Sequence, residues 1–220
     1  MLTLSKRIIT ILIFFFSSLI VQAKDAEVLR MLSDINAKQS TPALKQQAIA
    51  AGKDRAVLCN QCHGADGNST KPDVPNLAAQ NPVYLLEQIE KFADGRRKNF
   101  VMNALSKNFS RDDKENLAIF YASLRVRGAA TNPQLAKKGQ PIYAKQCSAC
   151  HGENGVGQAD FARLAGQQVQ YVETTLMRFR DNSKNSNPSS NRSNVIMESI
   201  VKGLTDDEIK AVAAYLGQLK

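Results

Sequence analysis

The chain has 220 residues, enough for one or two domains, and its 43% hydrophobic and 22% charged residues are the balance of a protein with a buried core, which excludes wholesale disorder and fibrous repeats. Trp is absent and aromatics make up 6%, so a site built from stacked indoles is excluded. The two His and four Cys are few enough to account for one by one.

At the N-terminus, Lys6 and Arg7 precede a 14-residue apolar run from Ile8 to Val21, and Val21-Gln22-Ala23 forms a small-residue cleavage pattern. This is the layout of a secretory signal peptide, residues 1–23, cut after Ala23. The run is shorter than the roughly 20 residues that span a bilayer. Its removal leaves 27 basic against 20 acidic side chains, a net +7. The excess is spread, +2 over residues 43–124 and +3 over residues 133–220, with no basic tail or block. Such a charge reads as a solvated surface. Export excludes a nucleic-acid partner, while peripheral association with a membrane is left open.

Residues 24–42 form an N-terminal extension. Within it, Val28, Met31, Leu32 and Ile35 share one face of a helix over 25–38, the pattern of a helix packed on its own domain. An internal repeat organises the rest. Cys59-Asn60-Gln61-Cys62-His63-Gly64 returns 88 positions later as Cys147-Ser148-Ala149-Cys150-His151-Gly152. At a displacement of 87, Leu77, Gln80, Tyr84, Leu85, Ile89 and Phe92 match Leu164, Gln167, Tyr171, Val172, Leu176 and Phe179. Leu85, Ile89 and Phe92 lie at i, i+4 and i+7, so each copy has an amphipathic helix here. At a displacement of 95, Arg97, Asn99 and Met102 match Arg192, Asn194 and Met197.

The step from 87 to 95 is an eight-residue insertion in the Ser/Asn-rich stretch from Asp181 to Asn194, expected to be a surface loop. Ser110 with Asp113 and Thr205 with Glu208 read as capping boxes that start the last helix of each copy. Asn81-Pro82 and Asn132-Pro133 read as a capping Asn before a Pro in the first turn. The division is then a first domain over 43–124, a linker over 125–132 and a second domain over 133–220. No segment shows strand alternation, and the class is all-α.

Cys-x-x-Cys-His is the attachment signature for c-type haem. Two thiols add across the porphyrin vinyl groups, and the next residue supplies imidazole to iron. A four-cysteine zinc site or two structural disulfides would use the same thiols. Neither explains why both His residues of the chain follow directly on a second Cys. The reading is two covalently bound haem c groups, on Cys59 and Cys62 with His63, and on Cys147 and Cys150 with His151. Both imidazoles and all four thiols are then used, so the sixth iron position is Met, a weaker ligand such as Lys, or vacant.

Met31 lies outside the repeat and Met177 maps to Glu90, which makes both of them core residues. Met102 and Met197 occupy matched positions and are the expected ligands. Thioether favours ferrous iron and raises the potential. A six-coordinate haem has no open position for substrate, so the pattern points to electron transfer.

The arrangement resembles the class I cytochromes c, and its tandem form is similar to the dihaem cytochrome c4 group over about residues 50–220. Besides both CxxCHG sites, the resemblance rests on Pro75-Asn76-Leu77-Ala78-Ala79-Gln80 with Tyr84, on Leu164-Ala165-Gly166-Gln167 with Tyr171, and on a Met before a C-terminal helix in each half. It implies two tandem class I domains related by a pseudo-twofold axis. It also implies electron transport in the periplasm between a quinol-oxidising complex and a terminal oxidase.

In the resemblance, Pro75 holds the position whose carbonyl accepts from the ligand imidazole, and the second copy has Ala162 there. Arg97 and Arg192, each five residues before its Met, are candidates for haem propionates or for a solvated surface. Gly52 and Gly139 are expected to let the first and last helices of each domain cross closely. Two other functions stay open: an electron-accepting subunit bound to one dehydrogenase, and a dihaem enzyme, which would need a vacant sixth position.

Overall fold

The computed structural model describes residues 26–184 and 192–220. The signal peptide and its cleavage after Ala23, and the middle of the eight-residue insertion, lie outside the described residues. Among the described residues the regular structure is helical, with one isolated bridge between Gln158 and Phe161.

The first half begins with α1 (residues 26–38), which buries Met31 (0% exposed) and Ile35 (2%), with Val28 and Leu32 against the same core. Ion pairs hold its polar face, Asp34 to Arg111 at 2.8 Å and Lys38 to Asp112 and Glu115. The extension is therefore integral to the first core. Next come α2 (Pro42–Arg55), a 3-10 turn (Ala56–Leu58), α3 (Asn60–His63), α4 (Pro82–Ala93), α5 (Phe100–Lys107) and α6 (Arg111–Ser123). The second half repeats the plan with α7 (Pro133–Gln146), α8 (Ser148–His151), α9 (Val169–Lys184), α10 (Val195–Val201) and α11 (Asp206–Gln218).

Each core is made where the first and last helices of the repeat cross, α2 on α6 and α7 on α11. The crossing needs glycine. A Cβ on Gly52 would lie 2.1 Å from the Asn116 carbonyl oxygen, and one on Gly139 would lie 2.0 Å from that of Ala211. The apolar stripes do the rest: Leu117, Phe120 and Tyr121 in one core and Val212 and Leu216 in the other are buried. Both capping boxes are formed, Ser110 with Asp113 and Thr205 with Glu208.

Two local expectations are corrected. Asn132 caps α7 through the N–H groups of Gln134 and Leu135, but the Asn81 side chain makes no cap. Its amide instead donates across the molecule to the carbonyls of Val156 (3.1 Å) and Phe161 (2.6 Å). The stretch from Asp181 also does not begin as a loop, because α9 runs on to Lys184. The polar side chains there find partners, Ser183 donating to the Arg180 carbonyl and Asn182 to that of Arg192.

The halves meet through a reciprocal pair of glutamines at matched positions. Gln80 accepts from Arg163 N–H (2.6 Å) and donates to Arg163 O (2.8 Å). Gln167 accepts from Asn76 N–H (2.7 Å) and donates to Asn76 O (3.0 Å). Asn76 and Arg163 are themselves 87 positions apart, so this contact carries the pseudo-twofold of the fold. The connection between α6 and α7 is pinned to both sides, Arg127 N–H donating to Asn68 and Ala129 N–H to the Gly217 carbonyl.

Gly139→Ala should lower the stability of the holoprotein by about 3 kcal/mol, the upper range for overpacking, in thermal unfolding followed by circular dichroism. Gly203→Ala, where an added Cβ meets nothing within 4 Å, should leave the curve unchanged.

Two candidate haem sites

Each attachment segment is one tight helical turn. His63 N–H donates to Cys59 O (2.9 Å) and His151 N–H to Cys147 O (3.0 Å), so the paired thiols and the imidazole project from a single short helix. No two of the four cysteines are joined in a disulfide. Among the described residues no three His, Cys, Asp or Glu side chains converge on a metal-sized site. A four-cysteine zinc site needs both CxxC turns at one place, and no such cluster forms among the described residues. Burial pushes the Cys147 thiol up to about 11 and raises that of Cys59 as well.

Both imidazoles are buried, and each is held by one carbonyl. His63 Nδ1 lies 2.9 Å from Pro75 O, and His151 Nδ1 lies 2.9 Å from Ala162 O. A carbonyl oxygen only accepts, so Nδ1 carries the proton and Nε2 keeps its lone pair. Burial lowers both imidazole pKa values, with the charges of Arg97 and Arg192 acting the same way on His63 and His151 respectively. The rings are thus neutral at neutral pH, the form that ligates iron. These features fit haem c.

Replacing Pro75 by Ala162 does not lengthen the bond. In the second half Phe161 stands edge-on to the His151 ring, 6.4 Å between centroids, and braces it. The carbonyl-bearing segments are tied down alike. Gly67 O accepts from Leu77 and Ala78, and Ala79 N–H reaches Tyr121 O. In the other half Gly155 O accepts from Leu164 and Ala165, and Gly166 N–H reaches Leu216 O.

Met102 and Met197 are both partly exposed, each in the first turn of a short helix, α5 and α10. The N-cap asparagines, Asn99 and Asn194, accept from the Met102 and Met197 N–H groups, both at 3.0 Å. Asn103 then ties α5 back to the carbonyls of Phe92 and Arg97. At the matched position Glu198 cannot donate, and Asn182 supplies that bond to Arg192 O (2.9 Å) while also donating to Glu198. Met31 is sealed in the first core, and Met177 packs on the cluster of Phe179, Val201, Leu204 and Ile209 that Met197 also touches.

Arg97 and Arg192 are at the junction of the halves. Arg97 stacks on Phe92 and donates to Gln88 (2.8 Å) and, across the junction, to the Tyr171 hydroxyl (3.0 Å). Arg192 stacks on Phe179 and donates to Tyr84 across the junction (2.5 Å) and to Tyr171 (3.2 Å). The solvated-surface reading of these arginines falls. Against the opposing effect of burial, the two guanidiniums beside it lower the Tyr171 hydroxyl below the usual phenol range.

Sequence reasoning missed the roles of Gln80, Gln167, Asn81 and Phe161. The only signal was that both glutamines recur in the repeat. Ahead of each Met stand two exposed apolar side chains, Phe100 (93% exposed) and Val101, and Val195 (80%) and Ile196.

Two cysteine-bearing turns, two carbonyl-held imidazoles and a twofold pair of helical halves define a dihaem c-type cytochrome, with two covalently bound haem c groups. The cytochrome c family model matches residues 136–220. Cytochrome c4 of Pseudomonas aeruginosa is 34% identical over 177 residues, covering 76% of this chain and 86% of the relative. The thiosulfate dehydrogenase electron acceptor of Thiomonas intermedia is 32% identical over 180 residues, 76% of this chain and 81% of that one. The structure of reduced cytochrome c4 from Pseudomonas stutzeri superposes with a TM-score of 0.69 at 30% identity, covering 78% of this chain and 98% of that one. The chain belongs to the cytochrome c4 family of electron-transfer proteins.

Met197→Ala should abolish the ferric sulfur-to-iron absorption of the second haem and lower its potential. Met177→Ala should keep that band and cost about 2 kcal/mol of stability through packing. Loss of the band in the Met177 variant would contradict the assignment.

Proposed function

We propose that the chain is a periplasmic carrier that takes electrons from one redox protein and passes them to another, with two closed haem sites in domains 43–124 and 133–220 joined by residues 125–132. Cys59, Cys62, Cys147 and Cys150 attach the cofactor, and His63 with Met102 and His151 with Met197 ligate its irons. Haem c, when bound, supplies one ferric–ferrous couple per site. The chain's own residues keep the couple simple: the carbonyls of Pro75 and Ala162 fix the imidazole tautomers, the N-cap asparagines set where each Met enters, and the paired glutamines keep the halves in register. The guanidiniums of Arg97 and Arg192, stacked on Phe92 and Phe179, are suited to carry the propionate charges at the junction.

The observation that carries this reading is the duplication of one complete site, down to the 2.9 Å imidazole–carbonyl bond in each half. Partners of the carrier are a quinol-oxidising complex as donor and a terminal oxidase as acceptor. A second reading, an electron-accepting subunit of a periplasmic dehydrogenase, is favoured by the similarity to the Thiomonas electron acceptor. Among the described residues no helix is long and apolar enough to cross a membrane.

The exported protein should keep two haems per chain through acid–acetone extraction, and Cys150→Ser should leave the first attached. Electron exchange between the haems, followed after photoreduction of a label on one half, should proceed at a rate independent of protein concentration. A rate proportional to concentration would mean two independent one-electron sites. Elution of the native protein alone supports the free carrier, and co-elution with a larger enzyme supports the subunit.

A further inference from the structure

The glutamine contacts do more than join the halves. Pro75 C=O and Asn76 N–H belong to one planar peptide unit. Its carbonyl accepts from His63 Nδ1 (2.9 Å), and its N–H donates to Gln167 Oε1 of the other half (2.7 Å). The unit formed by Ala162 C=O and Arg163 N–H is gripped alike, by His151 Nδ1 (2.9 Å) at one end and Gln80 Oε1 (2.6 Å) at the other. Gln80, Gln167 and Asn76 are all buried, so bulk water does not compete for these bonds. Each peptide plane thus links an imidazole of one half to a glutamine of the other.

We propose that Gln80 and Gln167 are crossed positioning residues: Gln167 orients and tunes the imidazole of the first haem, and Gln80 that of the second. The inference rests on the reading of His63 and His151 as iron ligands. The physics is that of coupled hydrogen bonds. An acceptor on the peptide N–H polarises the amide and makes its carbonyl the stronger acceptor. A stronger bond at Nδ1 raises the basicity of the ligating imidazole and fixes the ring plane, as hydrogen-bonded partners of metal ligands do in general. A more basic ligand stabilises ferric iron, so each glutamine lowers the potential of the haem in the opposite half. Docking of the halves is then a condition for the normal potential of both haems.

The test uses the full-length holoprotein carrying Gln167→Met or Gln80→Met, each of which keeps the side-chain volume and removes the amide. Redox titration resolves the two potentials. The hyperfine-shifted haem methyl resonances of the ferric protein report each imidazole orientation, and a Met102→Ala background identifies the first haem. Gln167→Met should raise the potential and shift the resonances of the haem on His63 while leaving the haem on His151 unmoved. Gln80→Met should do the reverse.

A shift in the haem of the mutated half, an equal shift in both haems, or no shift would overturn the inference; loosening of the fold alone would move both haems. Should either variant fail to fold, Gln→Asn, one methylene short of the peptide, makes the same test. If the unmodified ferric protein lacked histidine–methionine ligation, the ligand reading itself would fall. Absence of crossed shifts in a protein with that ligation removes only the present inference.

Discussion

The hydrogen bond from a buried imidazole Nδ1 to a main-chain carbonyl, 2.9 Å in both halves, decides which nitrogen keeps its lone pair, the one the proposed iron ligation uses, and in which plane the ring lies. The surrounding structure serves that bond. The helical turn of the attachment motif carries the imidazole and the paired thiols on one short helix. The Gly67 and Gly155 carbonyls hold the opposing strand of chain, and the last helix of each half fixes its turn through Tyr121 O or Leu216 O. The close helix crossings at Gly52 and Gly139 place α6 and α11 near enough to do so.

The junction of the halves is built from amides, where an obligate interface is usually apolar. Each hydrogen bond there contributes a net of about 1 kcal/mol, but a buried amide left without its partner costs more than that. Such a contact tolerates one register only. Gln80, Gln167, Asn81 and Gln168 donate to or accept from main-chain groups of the opposite half, with Gln168 reaching Ser69 O at 2.6 Å. Main-chain partners make the register independent of most side-chain changes. The arginine–tyrosine crossing lies at the same junction and brings a charged group of each half against the other.

Where a residue acts through its own neighbourhood in the chain, its role was legible in the sequence. The capping boxes at Ser110 and Thr205, the amphipathic faces of α4 and α9, the core places of Met31 and Met177 and the two crossing glycines all follow from local spacing or from the repeat. Roles that depend on docking were hidden. Asn81 has the sequence of a cap, but its amide is turned to donate to the Val156 and Phe161 carbonyls of the other half, which local spacing does not show. Gln80 and Gln167 were visible as a matched pair and nothing more, since their partners lie more than 80 positions away. The end of α9 lies beyond the expected loop start because Asn182, a loop former by composition, is satisfied by the Arg192 carbonyl, a bond that local spacing does not contain.

The halves are not identical, and their differences preserve the same geometry by different means. Proline rigidity at Pro75 is exchanged for the edge of Phe161 at the second site, and the double donor Asn103 is exchanged for Glu198 with Asn182. Such compensation is what a shared demand on both sites produces, and in the proposed reading that demand is a closed iron. Exposure of the dithionite-reduced holoprotein to carbon monoxide tests this most directly. With methionine on both irons, neither haem should take up the gas, and the ferrous spectrum should stay unchanged. Uptake of one equivalent or more per chain would mean an open coordination position and would contradict the account.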